Sequence, residues 1–453
     1  MNSLSKLYNS LNKKYPSRED LTFKKLVNFQ NHKDLPIHRW LRYREGYSVE
    51  LVKRVIKELN IKGSVLDPFL GSGTTTYASA LLGLNSYGIE LNPFPAFVAK
   101  VKTRKYSKKF ISDFQSIIPH LLKKNKPSQK PGLRILDKAF NVSVLNSLLE
   151  IRRNIDELKG NNKDLAFFTW LSLIEEVSNT YKEGNGIKYR GRFGYKRPPR
   201  RGTVGFEKYM KIVNESSSTE GWVVKNVHEI FNIRFNEILV DLNSMNYKYW
   251  KEPKIILGDV RETEILLSSL NNFNGIDLTI FSPPYANCFD YYEINKIELW
   301  MGGFTASYED FKQQRKKGLV SNLNANLKNI EYFNQSLDTL LNEMDNKALW
   351  NTKIKDMLRG YFRDMSIALE KLYKVTNKKG HVVMVIGNSS YGNVIIPTDL
   401  LLAEIAEKIG FKISKIVKAR QTNTSSQQMK ILKDNGLDTS LLREGLVYLT
   451  KTA

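Results

Sequence analysis

The sequence predicts a doubly wound α/β fold, a seven-stranded and mostly parallel sheet with helices on both faces. Three observations predict it. The first is Ser64-Val65-Leu66-Asp67-Pro68-Phe69-Leu70-Gly71-Ser72-Gly73-Thr74-Thr75-Thr76: a short apolar strand, a glycine-rich turn, and a helix that starts near Thr74 and stops at Gly83. A second strand over 86–89 ends in Glu90-Leu91-Asn92-Pro93, which completes a βαβ unit. The second observation is the apolar run Leu278-Thr279-Ile280-Phe281, closed by Ser282-Pro283-Pro284-Tyr285. The third is the alternation of helical and strand periods from 357 to 450.

In chain order, residues 1–35 read as a polar, Lys-rich arm, loose or helical. The core spans 36–100 and 251–453, with a helix over 49–59 leading into the first strand. It is interrupted by an inserted region, 101–250, that opens on a densely basic segment. Helical patterns follow over 144–158 and 164–181. Between Gly184 and Phe206 stand Lys188, Arg190, Arg192, Lys196, Arg197, Arg200 and Arg201 with no acid, interleaved with Tyr189, Phe193 and Tyr195. Glycine, proline and aromatic interleaving predicts a loop that orders on binding. Arginines there suit phosphates or guanine edges, and the aromatics suit unpaired bases; a plain solvated basic loop is the other reading. A second, polar insertion covers 301–358. The core resumes with a helix over 357–375, a strand over 381–386, and a helix over 398–408 capped by Thr398 and stopped by Gly410. A strand over 412–419 and a final strand over 445–450 close an antiparallel hairpin at the sheet edge.

The glycine turn lies where a nucleoside cofactor approaches the backbone, and Glu90, at the tip of the second strand, is placed to accept from ribose hydroxyls. A dinucleotide site expects a third glycine where this chain has Thr76, and Asp67 ahead of the turn would repel a pyrophosphate. A carboxylate there suits the cationic amino-acid end of S-adenosyl-L-methionine, so a methyl donor is expected rather than a nicotinamide. At the second motif, two prolines without N–H groups make a stiff turn. Ser282 supplies a hydroxyl, Pro283 an unpaired carbonyl and Tyr285 a flat ring. Those groups suit an exocyclic amine on a nucleobase.

At 453 residues the chain has room for a large core and a second domain. A formal charge of +24 favours a polyanion partner. The single cysteine, Cys288, excludes a disulfide framework and a cysteine metal cluster. No signal-peptide core and no apolar run long enough for a bilayer is visible, so a soluble, intracellular protein with no membrane partner is expected.

Asp67-Pro68-Phe69-Leu70-Gly71-Ser72-Gly73-Thr74-Thr75 together with Ser282-Pro283-Pro284-Tyr285 resembles the amino-methyltransferases of DNA, particularly the N4-cytosine enzymes of restriction–modification systems. His38-Arg39-Trp40-Leu41-Arg42-Tyr43 and 47–52 resemble the segment that packs on the methionine part of the cofactor in that family. Ile256-Leu257-Gly258-Asp259 resembles the motif whose aspartate holds the adenine amine. Asn287, Asp290-Tyr291-Tyr292 and Glu298-Leu299-Trp300 resemble the loop and helix after the catalytic turn. Residues 380–389 resemble a later core strand, and 420–428 with Leu442-Arg443-Glu444-Gly445 the closing hairpin region. The resemblance covers about 36–98 and 254–451. It implies a cytoplasmic, prokaryotic, DNA-associated protein with the methyltransferase version of the α/β fold, and with Trp40, Tyr43, Ser48, Asp67, Phe69, Gly71, Gly73, Thr74, Glu90, Asn92 and Asp259 on the cofactor. By their residue types alone, Trp40 and Trp300 read as packing. In one common family arrangement, target recognition lies between the third-strand motif and the catalytic turn. Asp259 and Ser282 are too close for that here, so recognition falls to 101–250, to 301–358, or to both.

The expected reaction starts with a base flipped out of duplex DNA, at a cost of a few kcal/mol, roughly, offset by stacking and edge hydrogen bonds. Ser282, Pro283, Pro284 and Tyr285 form the catalytic turn, no metal is required, and any cognate endonuclease is a separate protein. Serine at the first position goes with cytosine N4 in the family, and aspartate or asparagine with adenine N6. Adenine N6 methylation, an RNA base methyltransferase and a silent DNA-binding subunit are the alternatives. Carbon-5 chemistry needs a thiolate, normally in a Pro-Cys pair, whereas Cys288 follows Asn287 beyond the turn.

Overall fold

The computed structural model of the chain describes residues 3–29, 34–184, 186–217, 219–344, 349–422, 426–434 and 436–452. Of the segment 420–428 singled out above, 423–425 lie outside the described residues. The strands in chain order are β1 (Ser17–Glu19), β2 (Val65–Asp67), β3 (Ser86–Glu90), β4 (Thr180–Glu183), β5 (Gly186–Tyr189), β6 (Lys254–Leu257), β7 (Ile276–Phe281), β8 (Thr376–Gly387), β9 (Ser389–Tyr391), β10 (Val394–Ile396), β11 (Phe411–Gln421) and β12 (Arg443–Lys451). The central sheet has the order β1-β11-β12-β8-β7-β2-β3-β6. β6, β3, β2, β7 and β8 run parallel to one another, and β12 is antiparallel to both β8 and β11.

Two expectations need correction here. The sheet has eight strands, not seven, because β1 pairs in parallel with β11 at Ser17↔Ile416. Three residues are too few to show a period in the sequence, and they pair only because β11 offers a free edge. The arm carrying them is helical over Ser3–Lys14 and buries Leu4, Tyr8, Leu11 and Tyr15. Second, the final strand does not sit at the sheet edge. It is inserted between β8 and β11, so both its hydrogen-bonding edges are satisfied.

Strand alternation divides the core between the two faces of the sheet. Val383 and Val385 of β8 with Leu446 and Tyr448 of β12 join one cluster; Val382, Met384 and Ile386 with Val447 and Leu449 join the other. The first cluster runs without interruption from the helix Val49–Glu58 into the inserted region, through Trp170, Phe231 and Phe235. That region is mainly helical, with Val142–Asp156, Gly160–Val177, Val204–Glu215 and Val227–Ser244. The second cluster is covered by Ile354–Val375 and Thr398–Ile409. The latter helix begins one residue inside its cap: Pro397 holds the cap position, and Thr398 turns its hydroxyl to the Ile396 carbonyl instead. Among the described residues no helix is long and apolar enough to cross a membrane.

A buried ion pair pins the start of β12. Arg443 Nε lies 2.8 Å from Asp399 Oδ2, both side chains being about 5% exposed or less. Asn388 donates to the other Asp399 oxygen at 2.8 Å, and Arg443 Nη1 donates to Ser17 Oγ at 2.7 Å. Removing one partner leaves a buried charge without compensation. Asp399→Ala should therefore cost about 3–5 kcal/mol of stability, read as a lower midpoint in chemical denaturation.

Candidate functional site

At the carboxyl ends of β2, β3, β6 and β7 a cleft is bounded by the glycine turn on one side and the Ser-Pro-Pro-Tyr turn on the other. Gly71 (φ +52°) and Gly73 (φ +90°) take left-handed backbone conformations. A Cβ on Gly71 would come within 3.0 Å of the Tyr43 ring, and one on Gly73 within 3.2 Å of the Ala99 backbone. Both glycines are therefore required by the turn and by close packing. The helix Thr74–Leu81 starts directly behind them, and Gly83 ends it at φ +70°.

Asp67 fixes the base of this turn. Its Oδ1 accepts from the Phe69 N–H at 3.0 Å, and its Oδ2 accepts from Thr75 Oγ1 at 2.6 Å and lies 3.0 Å from the Tyr47 hydroxyl. Burial pushes its carboxyl up to about 6, against these donors, which pull it down. Glu90 accepts from the Gly71 N–H and the Asn92 N–H, each at 2.8 Å, and burial pushes it up to about 7. Asn92 caps the next helix through its side-chain oxygen, 3.1 Å from the Phe94 N–H. Its amide Nδ2 is buried on the cleft wall with no protein partner. Beneath the turn, fully buried Lys102 donates to the Ser72 carbonyl at 3.1 Å and lies 2.7 Å from His38 Nδ1. Burial lowers its amine to about 7.

Tyr43, Asp67, Phe69, Gly71, Thr74, Glu90, Asn92, Asp259, Ser282 and Pro284 all line this cleft. Trp40, Ser48 and Gly73 are outside the lining. Trp40 is fully buried and donates to Asp241 at 2.8 Å, and Ser48 caps the helix Val49–Glu58 by accepting from the Leu51 N–H. Asp259 is already engaged, paired with Arg261 at 2.5 Å, and Arg261 also reaches Asp364 at 3.1 Å. The second insertion contributes Arg315, Gly318, Leu319, Ser321 and Asn322 to the lining. Sequence reasoning missed these because nothing in a polar segment marks which turn folds back.

A second hollow adjoins the first. Tyr285, Phe289, Tyr291, Arg420 and Glu444 wall it, and it shares Glu45, Gly46, Tyr47, Ser282 and Tyr291 with the cleft. The Tyr285 hydroxyl donates to Glu444 at 2.7 Å, and Arg420 pairs with the same carboxylate at 2.5 Å. The Tyr285 ring packs on Gly387, where a Cβ would meet it at 2.7 Å. Cys288 borders neither hollow; its thiol lies 3.5 Å from the Tyr391 hydroxyl, and burial pushes it up.

In the basic stretch, Gly186–Tyr189 is a strand (β5) paired with β4, where a loop was expected. Tyr181, Lys182 and Glu183 supply the register partners that no local pattern announces. Arg192 is buried, donates to the Ser217 and Glu220 carbonyls at 3.2 Å, and lies 4.0 Å over the Trp222 ring. Lys188 pairs with Glu183 at 2.9 Å, and Arg197 lies 3.7 Å from the same carboxylate. Arg190, Lys196, Arg200 and Arg201 are exposed, with Arg190 donating to the Ser178 carbonyl at 3.3 Å.

A family model described as DNA methylase matches residues 6–100. Over 90% of its length the chain is 30% identical to the type II methyltransferase M.BsoBI of Geobacillus stearothermophilus, spanning 85% of that protein. It is 29% identical over 90% of its length to M.AvaI of Nostoc sp., spanning 86% of that protein. It is 23% identical to M.MvaI of Kocuria varians over 80% of this chain and 77% of the relative.

Glu90 gives the cleft a pH signature. A ligand hydroxyl donating to it favours the carboxylate, so binding lowers its pKa and releases a proton. Affinity for a ligand whose hydroxyl donates to Glu90, with S-adenosylhomocysteine as the probe, is expected to fall by up to about tenfold per pH unit as pH drops below about 7. Calorimetry across that range checks it, and Glu90→Gln should flatten the dependence.

Proposed function

The chain belongs to the type II DNA methyltransferases of restriction–modification systems, and from that premise we propose that it transfers a methyl group from S-adenosyl-L-methionine to the exocyclic N4 amine of a cytosine flipped out of duplex DNA. The observation that carries the reading is the position of Ser282. It stands on the wall common to a cleft suited to a nucleoside and an aromatic-walled hollow suited to a planar base.

The cleft residues fit the cofactor. The Asn92 amide is a buried donor without a protein partner on a residue of the cleft wall, Glu90 holds acceptor capacity for hydroxyls, and the left-handed turn at Gly71 lets a ligand reach the backbone. When bound, the cofactor supplies an electrophilic methyl group on a sulfonium sulfur. Trp40 and Ser48 act in this reading by packing the wall's support, and Asp67 by fixing the turn. Asp259 borders the cleft with both oxygens engaged by Arg261, and in this reading the adenine amine takes a lone pair that Arg261 leaves.

In this reading Ser282 Oγ, on the wall of the second hollow, and the carbonyl of Pro283, a buried residue that lines neither hollow, accept from the target amine and draw its lone pair out of ring conjugation. Tyr285, fixed by Glu444 and Gly387, gives the base a face to stack on. Catalysis is then positioning and electrostatics at a preformed site. Duplex DNA is the proposed partner, with Lys188, Arg190, Lys196, Arg197, Arg200 and Arg201 presented on the exposed stretch after β4. Arg192 serves that stretch from within, by tying it to the Ser217–Glu220 turn.

Nucleoside mass spectrometry of unmethylated duplex DNA, after incubation with protein and cofactor, is expected to show N4-methylcytosine; N6-methyladenine in its place would overturn the base assignment. In the same assay Ser282→Ala should lose about 100-fold or more in rate, while Cys288→Ser stays near wild type. A rate lost in Cys288→Ser and spared in Ser282→Ala would reverse the chemistry.

The exposed arginines have their own test. An Arg200→Ala, Arg201→Ala double variant should weaken binding evenly across DNA sequences and reduce the salt slope by about 2, if each side chain neutralises one phosphate. An unchanged slope would remove them from the DNA interface.

A further inference from the structure

We propose that Glu45 accepts the proton that the target amine sheds on methylation, an inference that rests on the function proposed above. Its position argues for it first. The cleft is bordered by four acids, Glu45, Asp67, Glu90 and Asp259, and the adjoining hollow by Glu45, Glu183 and Glu444. Glu45 alone among these borders both, together with Ser282 and Tyr291. A proton released where the two hollows meet therefore finds this carboxylate on the shared wall.

The other acids each border one hollow only and are held there by their own contacts. Asp67 is bonded by Thr75 and the Phe69 N–H, and Glu90 by two backbone N–H groups. Asp259 is paired with Arg261, Glu183 with Lys188, and Glu444 with Arg420 and the Tyr285 hydroxyl. Glu45 accepts from its own backbone N–H and from the Arg44 backbone N–H, the latter at 3.1 Å, and it forms no ion pair among the described residues, unlike Asp259, Glu183 and Glu444. The two cations nearest it in charge are committed elsewhere. Arg44 pairs with Glu175 at 3.1 Å, and Lys182 of β4 pairs with Glu298 at 2.7 Å. The groups that face it are thus Tyr43 and Arg44 from its own segment, Lys182 from β4, and Tyr291 from the loop after the catalytic turn. Burial raises the Glu45 carboxyl, and the Lys182 charge, the Glu45 and Arg44 backbone N–H groups and the Arg44 charge oppose that rise. A carboxyl raised by burial takes a proton more readily than an ordinary one, which adds to what its position on the shared wall argues. Tyr43 and Tyr291 are unsuited, because burial pushes both phenols up and they keep their protons.

The step balances simply. The amine lone pair forms the new N–C bond as the methyl C–S bond breaks with its electron pair to sulfur. The nitrogen, now positively charged, loses one proton to the Glu45 carboxylate, which passes it to solvent through the second hollow.

The test uses full-length wild type, E45Q and E45D. Single-turnover methyl transfer to unmethylated duplex DNA is measured from about pH 5 to about pH 9, alongside binding of S-adenosylhomocysteine and of DNA. The wild-type rate should fall as pH drops through an ionisation above the ordinary carboxylate range. E45Q should lose about 100-fold in rate and its acid limb, with both binding constants unchanged, and E45D should recover part of the rate and the limb. An E45Q protein with the wild-type rate and profile overturns the assignment. So does one that fails to bind S-adenosylhomocysteine or DNA while E45D shows no acid limb, since Glu45 would then be a binding or structural residue. Wild-type protein that makes N6-methyladenine overturns the base assignment and leaves the Glu45 comparison to be read on adenine. Wild-type protein that methylates no DNA removes the proposed function and this inference with it.

Discussion

One buried carboxylate, Asp67, holds three separate stretches of chain at a single point. The Tyr47 hydroxyl, from the segment ahead of the first core helix, lies 3.0 Å from it, 2.5 Å from Thr75 Oγ1 and 3.2 Å from the Ile280 carbonyl oxygen. That network ties the N-terminal wall, the start of the helix behind the glycine turn, and the strand that ends in Ser282. Burying the charge is costly, which is why its carboxyl rises to about 6, and the donors around it offset that cost. Everything that lines the cleft depends on this geometry. Without it Gly71 and Gly73 would have no fixed left-handed turn, and Ser282 no fixed distance from the glycine loop.

From that anchor the two hollows follow. β2 and β7 are parallel neighbours, so their carboxyl ends emerge side by side and deliver the glycine turn and the Ser-Pro-Pro-Tyr turn to one edge. The insertion of β12 between β8 and β11 then brings Glu444 to the same edge, where it meets Tyr285. The second insertion folds Leu319 and Ser321 over the cleft, held by Arg261 bridging Asp259 and Asp364 and by the Val320 N–H on Asp364 at 3.1 Å.

Charge shows where composition stops being informative. The net +24 describes the whole chain, yet the densest basic stretch does not present all its cations to solvent. Arg192 is spent on an internal turn, and Lys188 and Arg197 share Glu183, an acid that stands just before the stretch. A charge run states how much positive charge is available; pairing and burial set how much is free for a phosphate.

The sequence by itself determined the parts governed by local rules. The βαβ unit was legible because Gly71, Gly73 and Gly83 are demanded by backbone conformation, and the later helices and strands because their apolar period is long enough to read. Family resemblance was legible in Asp67 to Thr75 and Ser282 to Tyr285, two short motifs whose residue types are constrained by their turns. Tertiary structure decided what depends on partners distant in the chain. β1 is a strand only because β11 offers an edge, and β12 is internal only because β8 lies open beside it. Glu45 carried no signal among the neighbouring charges, and it acquired its place when Ser282, more than two hundred residues onward, came to the same wall. Local turns and periods are written in neighbouring residues, whereas a site is a meeting of distant ones, and only the packed sheet brings them together.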